Sequence, residues 1–404
     1  MDSTSNGSAR VQHAGAARGP LHGLVVADFA RVLAGPYCTM LLGDMGATVI
    51  KVESPGGDDT RAWRPPERDG ISTYYLSINR NKRSVVLDLN DPTDLELAHE
   101  LTRRADILVQ NFKPGGLRRF GLDYEAVNAR NEGIIYCSIS GFGSEGRGAT
   151  LPGYDLLVQA MSGLMSLTGD PDGPGYRSGM SAFDILAGLH ALIGILTALH
   201  VRDQTGLGQH VEVSLLMSAL SGLTNHSSAY LAGGRVPFRM GNAHPSLFPY
   251  EPLPTADEDL IIIAGNDAQF QRLCEVLGAP ELADDPRFTR APDRNRNREL
   301  LRPLLVERLR TRSADDWFEA FAAAGLPSGP INTIDAGFRY ATELGLEPVV
   351  QLGEGDDAVP MARHPISFSA SPPRYDRPPP ALGQDGDAVR AWLTGAVSTP
   401  TMEG

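Results

Sequence analysis

Asp184 is the residue of this chain whose type and setting most directly offer chemistry. It closes the segment Arg177-Ser178-Gly179-Met180-Ser181-Ala182-Phe183-Asp184 and opens an apolar run, Ile185 to Val201. That run breaks at Thr205-Gly206-Leu207-Gly208, and a strand-like alternation follows from His210 to Leu215. A carboxylate between a glycine-containing turn and a helix start sits where free backbone N–H groups and the helix dipole favour negative charge. Two uses fit that place: an N-cap, for which aspartate is a preferred residue, or a nucleophile that forms a covalent intermediate. Position alone leaves both open, and the cap is the commoner use.

The elements that must hold this acid alternate strand and helix. Leu24 to Asp28 reads as a buried strand, Pro36 to Gly46 as a helix, and Thr48 to Glu53 as the next strand. Ser84 to Leu89 is a further strand, and Asp91-Pro92 caps a helix through Arg104, with proline in the first turn where its missing N–H costs nothing. Asp106–Gln110 and Ile134–Ser140 are strands flanking a short helix, Tyr124–Arg130. Helical stretches follow at Asp155–Leu167 and from Asp184 on, and Val211–Leu231 starts as a strand and becomes an apolar helix. This β-α-β spacing predicts an α/β fold with a parallel sheet and helices on both faces. Pro and acidic residues at Glu251–Asp259 mark a change of character, ahead of a strand at Leu260–Ala264. Helices at Gln269–Leu277 and Arg298–Ala324 follow, anchored by Trp317 and Phe321. The expected organisation is a tail over 1–20, a large domain over 21–231, a smaller one over 232–330, and a proline-rich segment, 331–404, returning to the large domain.

Composition removes several function classes. A net charge of −13 speaks against a general nucleic-acid binder, which needs a basic face. Cys38, Cys137 and Cys274 show neither pairing nor metal spacing, and the nine histidines form no ligand cluster, so free thiols, a reducing compartment and no metal are expected. The first 20 residues lack the apolar core of a secretory signal. The Ile185–Val201 run carries His190 and His200 and falls short of the roughly 20 residues that span a bilayer, so it reads as a core helix and no membrane partner is expected. The expected location is the cytoplasm, or the mitochondrial matrix in a eukaryote. Only three of the 36 basic residues are lysines, and Lys51, Lys82 and Lys113 each fall near a predicted strand end, which points to a phosphate-handling region.

Gly141-Phe142-Gly143-Ser144-Glu145-Gly146 follows a strand and matches G-x-G-x-x-G, the dinucleotide fingerprint. That fingerprint should open a helix, whereas Gly148, Pro152 and Gly153 come next, and the first β-α turn lacks it. The stretch reads as a glycine-rich loop.

Several further stretches occur in a fixed order: Asp28-Phe29-Ala30-Arg31-Val32-Leu33-Ala34-Gly35-Pro36, Gly43-Asp44-Met45-Gly46-Ala47, Gly57-Asp58-Asp59-Thr60-Arg61, Asn79-Arg80-Asn81-Lys82-Arg83-Ser84, Val109-Gln110-Asn111-Phe112-Lys113-Pro114-Gly115, Gly153-Tyr154-Asp155 and the Asp184 segment. Together they resemble the class III CoA-transferases, the formyl-CoA transferase-like family that also holds α-methylacyl-CoA racemases, from about residue 20 to 383. Ser72–Ser77, Ile134–Ile139 and Pro330-Ile331-Asn332 are most similar to its succinyl-CoA:glutarate branch. The resemblance implies a Rossmann-like large domain, a small domain and two interlocked chains. It implies acyl-CoA and a free carboxylic acid as partners, with no cofactor beyond CoA itself, and it makes Asp184 the nucleophile of an anhydride and thioester exchange. It also implies CoA contacts from Val32, Leu33, Ala34, Ser54, Leu87, Asn90, Asn111, Phe112, Lys113, Arg119 and Phe142. Ser54 stands where some relatives have arginine, and Leu33 replaces a glutamine of formyl-CoA transferase. The racemase branch uses histidine where this chain has Tyr154, and a phenol of pKa about 10 carries protons poorly near neutrality. Racemisation, or a silent CoA-binding protein, is therefore the weaker alternative. Trp63 and Tyr154 are expected at the substrate. A dicarboxylate needs a cation for its far end, and Arg61, Arg239 and His244 are the expected candidates.

Overall fold

In the computed structural model, which describes residues 19–355 and 358–397, the apolar runs of the N-terminal half become six parallel strands. They are β1 (Val25–Asp28), β2 (Thr48–Glu53), β3 (Lys82–Val86), β4 (Ile107–Gln110), β5 (Ile135–Ser140) and β6 (Gln209–Ser214). Their spatial order is β3-β2-β1-β4-β5-β6, the order of dinucleotide-binding folds. All but residues 1 to 18 of the expected N-terminal tail is described, and those residues lie outside the described ones.

The helices between the strands are α1 (Ala34–Asp44), α2 (Pro92–Arg104), α3 (Tyr124–Asn128), α4 (Asp155–Met161), α5 (Ala182–Thr205) and α6 (Leu215–Gly222). Asp91 caps α2 as its sequence predicts, accepting from the Thr93 and Asp94 N–H groups. Strand alternation places Val25, Ala27, Ile50, Val85 and Leu108 in one core with Ala98 and Leu101 of α2 and with Val389 and Trp392 of the C-terminal helix Gly386–Leu393. The opposite face of the sheet receives α1 and α5, which pack on each other. The close approach is possible because Gly188 of α5 lies against the Ala34 carbonyl, where a Cβ would stand 2.6 Å away.

Three expectations need correction. The helix predicted over Asp155–Leu167 stops at Met161, because Gly163 takes φ +97°. The strand placed at Ser84–Leu89 ends at Val86, and the Asp88 carboxylate turns the chain by accepting from the Asn90 N–H. The helix carrying Asp184 has 24 residues, so by length and composition it could cross a membrane. Phe183, Ala187, Ala191, Ile195 and Ala198 are nevertheless buried within the fold.

The chain divides into two compact units. Among the described residues, one takes in 19–162, Gly179–Ser227 and those from Glu347 to residue 397; the other takes in Gly163–Ser178 and Ser228–Leu346. Against the expected 232–330, the second unit also contains 163–178, 228–231 and 331–346. Its antiparallel sheet joins β7 (Tyr250–Pro254), β8 (Asp259–Ile263) and β9 (Ser328–Pro330). The helices Asp267–Val276, Arg298–Leu309 and Ala314–Ala323 pack there around Phe270, Leu305, Trp317 and Phe321. In the first unit the proline-rich C-terminal segment runs back over the β3 edge: Arg374 N–H bonds the Asp44 carbonyl, Asn81 N–H the Arg377 carbonyl, and Asp385 N–H the Ser84 carbonyl.

Candidate active site

Strand order reverses between β1 and β4, and two cavities open there beyond the carboxyl ends of the strands, where ligands of such sheets bind. The first, about 270 Å³, is lined by Arg31–Ala34 after β1, Asn111–Pro114 after β4, Ser140–Gly141 after β5, Tyr154 and Asp184. The second, about 180 Å³, is lined by Ser54 after β2, Leu87 and Asn90 after β3, and Arg119. Arg31 and Phe112 belong to both walls, with the guanidinium 5.4 Å from the ring centroid.

Asp184 sits in the first turn of α5 and is half-buried. Sequence reasoning left open whether it caps this helix, and the structure gives the cap to another acid. Asp155, buried at the start of α4, accepts from the N–H groups of Phe183 (2.8 Å) and Asp184 (3.2 Å) through one oxygen. The donors expected to favour Asp184 are therefore spent on Asp155. Burial, and then the charge of Asp155, push the Asp184 carboxyl up from 3.8 to about 7. Asp155 was legible only as a member of the Gly153-Tyr154-Asp155 motif; Gln159, four residues on and bonded to it, is the one local signal of its role.

Backbone geometry brings Asp155 there. A Cβ on Gly141 would lie 2.3 Å from the Gly153 Cα, so the end of β5 and the start of the Tyr154-Asp155 turn touch main chain to main chain. Tyr74 supports the other side. Its phenol bonds the Ser181 side chain, and burial, followed by the nearby Asp184 charge, raises its pKa. Trp63 stacks edge-on against Tyr74 at 5.0 Å and backs the site without lining either cavity.

The remaining expectations divide. Val32, Leu33, Ala34, Asn111, Phe112, Lys113 and Tyr154 line the Asp184 cavity, and Ser54, Leu87, Asn90 and Arg119 the second. Phe142 lines neither; its carbonyl packs under Gly148. The loop 141–148 opens no helix, only the short 3-10 turn Gly148–Thr150. Arg61 is not free to hold a substrate carboxylate. Its Nε and one Nη bind both oxygens of Glu53 (2.8 and 2.7 Å), and the same Nη reaches the Tyr75 hydroxyl and the Pro380 carbonyl. Arg239 donates to the Asp170 carbonyl, and His244 accepts from the Ser246 and Leu247 N–H groups, both inside the second unit. Lys51 and Lys82, read as phosphate-handling, are wholly buried and paired with Asp58 (2.8 Å) and Asp28 (3.0 Å). Of the three lysines only Lys113 is exposed.

The CoA-transferase family III model matches residues 21–386. The chain belongs to CoA-transferase family III. It is 43% identical over 391 residues to the succinate–glutarate CoA-transferase of Agrobacterium fabrum, an alignment covering 95% of this chain and 98% of the relative. It is 39% identical to the acetyl-CoA:oxalate CoA-transferase of Acetobacter aceti, over 92% of this chain and 95% of that one. Among solved structures, a CAIB/BAIF family protein from Brucella suis superposes with a TM-score of 0.83 at 43% identity, covering 93% of this chain and all of that one. As a class III CoA-transferase this enzyme works on CoA thioesters and carboxylates.

Proposed function

We propose that this enzyme moves CoA from succinyl-CoA, or a similar donor, to a small dicarboxylic acid through a covalent intermediate on Asp184. The observation that carries this reading is an acid of raised pKa, freed from capping, on the wall of a cavity at the sheet's switch point. The names of the relatives, which act on succinate, glutarate and oxalate, supply the substrate class.

The steps balance without a proton donor. An Asp184 oxygen attacks the donor thioester carbonyl, the C–S bond breaks, and CoA leaves as thiolate, giving a mixed anhydride. The thiolate attacks the aspartyl carbonyl and expels the donor acid as carboxylate, leaving an aspartyl-CoA thioester. The acceptor carboxylate attacks that carbonyl and releases thiolate; the thiolate then attacks the acceptor's acyl carbon and restores the Asp184 carboxylate. Dividing the exchange in this way replaces one high barrier by several lower ones. Acylation also removes the Asp184 charge from beside Asp155, so the repulsion that raises its pKa favours the covalent states. The start of α1 has no side-chain cap, and its first N–H groups are the backbone donors available to a developing oxyanion.

Arg31 and Lys113 are the cationic side chains on the Asp184 cavity wall, and we assign the acceptor's far carboxylate to them. Arg31 is half-exposed and only loosely paired with Asp59, at 3.6 Å. The second cavity, with Ser54, Asn90 and Arg119, is assigned to the nucleotide end of CoA. The enzyme is read as a homodimer in a reducing cytoplasm: Leu156 and Met161 of α4, Ile193 of α5 and Met217 of α6 are exposed apolar residues that a second copy would cover, and its three cysteines are free and buried. The test is incubation with succinyl-CoA and a panel of free acids, following new acyl-CoA species by mass. Glutaryl-CoA, or a close homologue, is expected and should vanish in Asp184→Ala; incorporation of α-deuterium without any acceptor would instead establish racemisation.

A further inference from the structure

We infer that Asn111, expected from the family resemblance to touch CoA, is a positioning residue that holds the Arg31–Ala34 turn in shape against the Asp184 cavity. This rests on the reading of that cavity as the site of acyl exchange.

Main-chain pairing between β1 and β4 ends with Asp28 beside Val109 and with the Phe29 N–H on the Val109 carbonyl. The chain then has to turn into α1, and no strand continues the ladder. Asn111 supplies one more rung with its side chain: Oδ1 accepts from the Arg31 N–H at 2.9 Å, and Nδ2 donates to the Arg31 carbonyl at 2.7 Å. A carboxamide offers this paired acceptor and donor, as a peptide group does.

The residue after this rung is Val32, with φ +70°. A β-branched residue in the left-handed region is an outlier that persists only where its surroundings hold it. Further restraints act on Ala30: its N–H bonds Asp28 Oδ1, its carbonyl accepts from buried Lys51, and its Cβ fits only because residue 35 is glycine, where an added Cβ would come within 2.2 Å. Asn111 is the side chain that bonds the peptide groups of Arg31 itself. The turn is what allows Arg31, Val32, Leu33 and Ala34, four consecutive residues, to line one cavity. In a regular strand they would alternate between two faces.

The two functions of the carboxamide are engaged with protein before any ligand arrives. A contact residue would govern affinity, whereas a positioning residue governs the geometry of attack, and misplacement by about an ångström costs up to roughly a hundredfold in rate. For Asn111→Ala the expected result is a fall in kcat of roughly ten- to a hundredfold, with KM for the acyl-CoA changing less than about threefold. Val32→Gly, which removes the penalty of a positive φ, is expected to restore much of the lost kcat in the Asn111→Ala background. Amide hydrogen exchange of the free protein over residues 31–35 should speed up in Asn111→Ala and not in Asp184→Ala, a readout that stands whether or not Asp184 is the nucleophile. A raised KM with kcat retained, or no rescue by Val32→Gly, or unchanged exchange, overturns the inference. If Asn111→Ala does not fold, Asn111→Asp serves: it keeps the acceptor for the Arg31 N–H, loses the donor, and should show the same kcat loss and the same rescue.

Discussion

Two clusters of buried acids lie in the same unit and are built on opposite principles. Around the second cavity the buried acids each have a cation: Asp28 with Lys82, Asp58 with Lys51, Glu53 with Arg61. Burial alone would raise the Asp58 and Glu53 carboxyls, but Lys51 and Arg61 outweigh it and hold both below the ordinary range. At the first cavity Asp184 has as its nearest charged influence another acid, Asp155, and its carboxyl is pushed up to about 7. Satisfied pairs lock the strand ends in place. The acid pair without a cation is where the proposed mechanism places the reaction.

The contrast can be broken from either side, and the largest effect expected is on turnover. Asp184→Ala should cut exchange by more than about a thousandfold while leaving CoA binding measurable by calorimetry; retained turnover would remove the aspartyl mechanism. Next, Lys82→Met strands Asp28 without its cation and should cost about 3–5 kcal/mol in denaturant unfolding, with acyl-CoA chemistry in the surviving folded fraction intact. The third test turns on the sign of the Asp184 shift. An acid whose folded pKa lies above its unfolded one keeps its proton longer when folded, so its contribution to stability falls as pH rises from 3.8 through about 7. Asp184→Asn should therefore raise the thermal midpoint at pH 8, by an amount equivalent to at most about 4 kcal/mol, and change little at pH 4. A lowered midpoint at pH 8 would contradict the assigned strain. The smaller effects are kinetic. On the proposed mechanism, kcat/KM should rise with pH through about 7 as Asp184 ionises, and Asp155→Asn, which keeps an acceptor for the α5 cap but removes the charge, should move that rise to lower pH. Arg31→Ala should raise the acceptor KM by about fivefold, while Arg61→Lys should leave it unchanged and weaken the fold instead.

What the sequence disclosed follows from the range of each interaction. Asp91-Pro92 announced the start of α2 because a cap acts within three residues, and the strands announced themselves through short apolar runs. The motif order disclosed the family, and the resemblance pointed to Asp184. The partner that frees Asp184 lies 29 residues away on a different helix, and the Asn111–Arg31 rung spans 80 residues, so neither leaves any period or spacing to read. Charge type misled for a related reason. Arg61, Lys51 and Lys82 look like anion binders until the fold shows which acids have already claimed them. The strand Tyr250–Pro254 escaped notice because its two prolines hide the alternation.

The contact between Gly141 and Gly153 reaches further than a tight turn. Asp155 stands two residues beyond it, and a methyl group at either glycine would have to push the end of β5 and that turn apart. Such a displacement would loosen the grip of Asp155 on the Phe183 and Asp184 amides and dilute its repulsion of the neighbouring carboxylate. On the proposed mechanism, the pH range of this enzyme then depends, at one remove, on two hydrogen atoms on a pair of α-carbons in the wall of the Asp184 cavity.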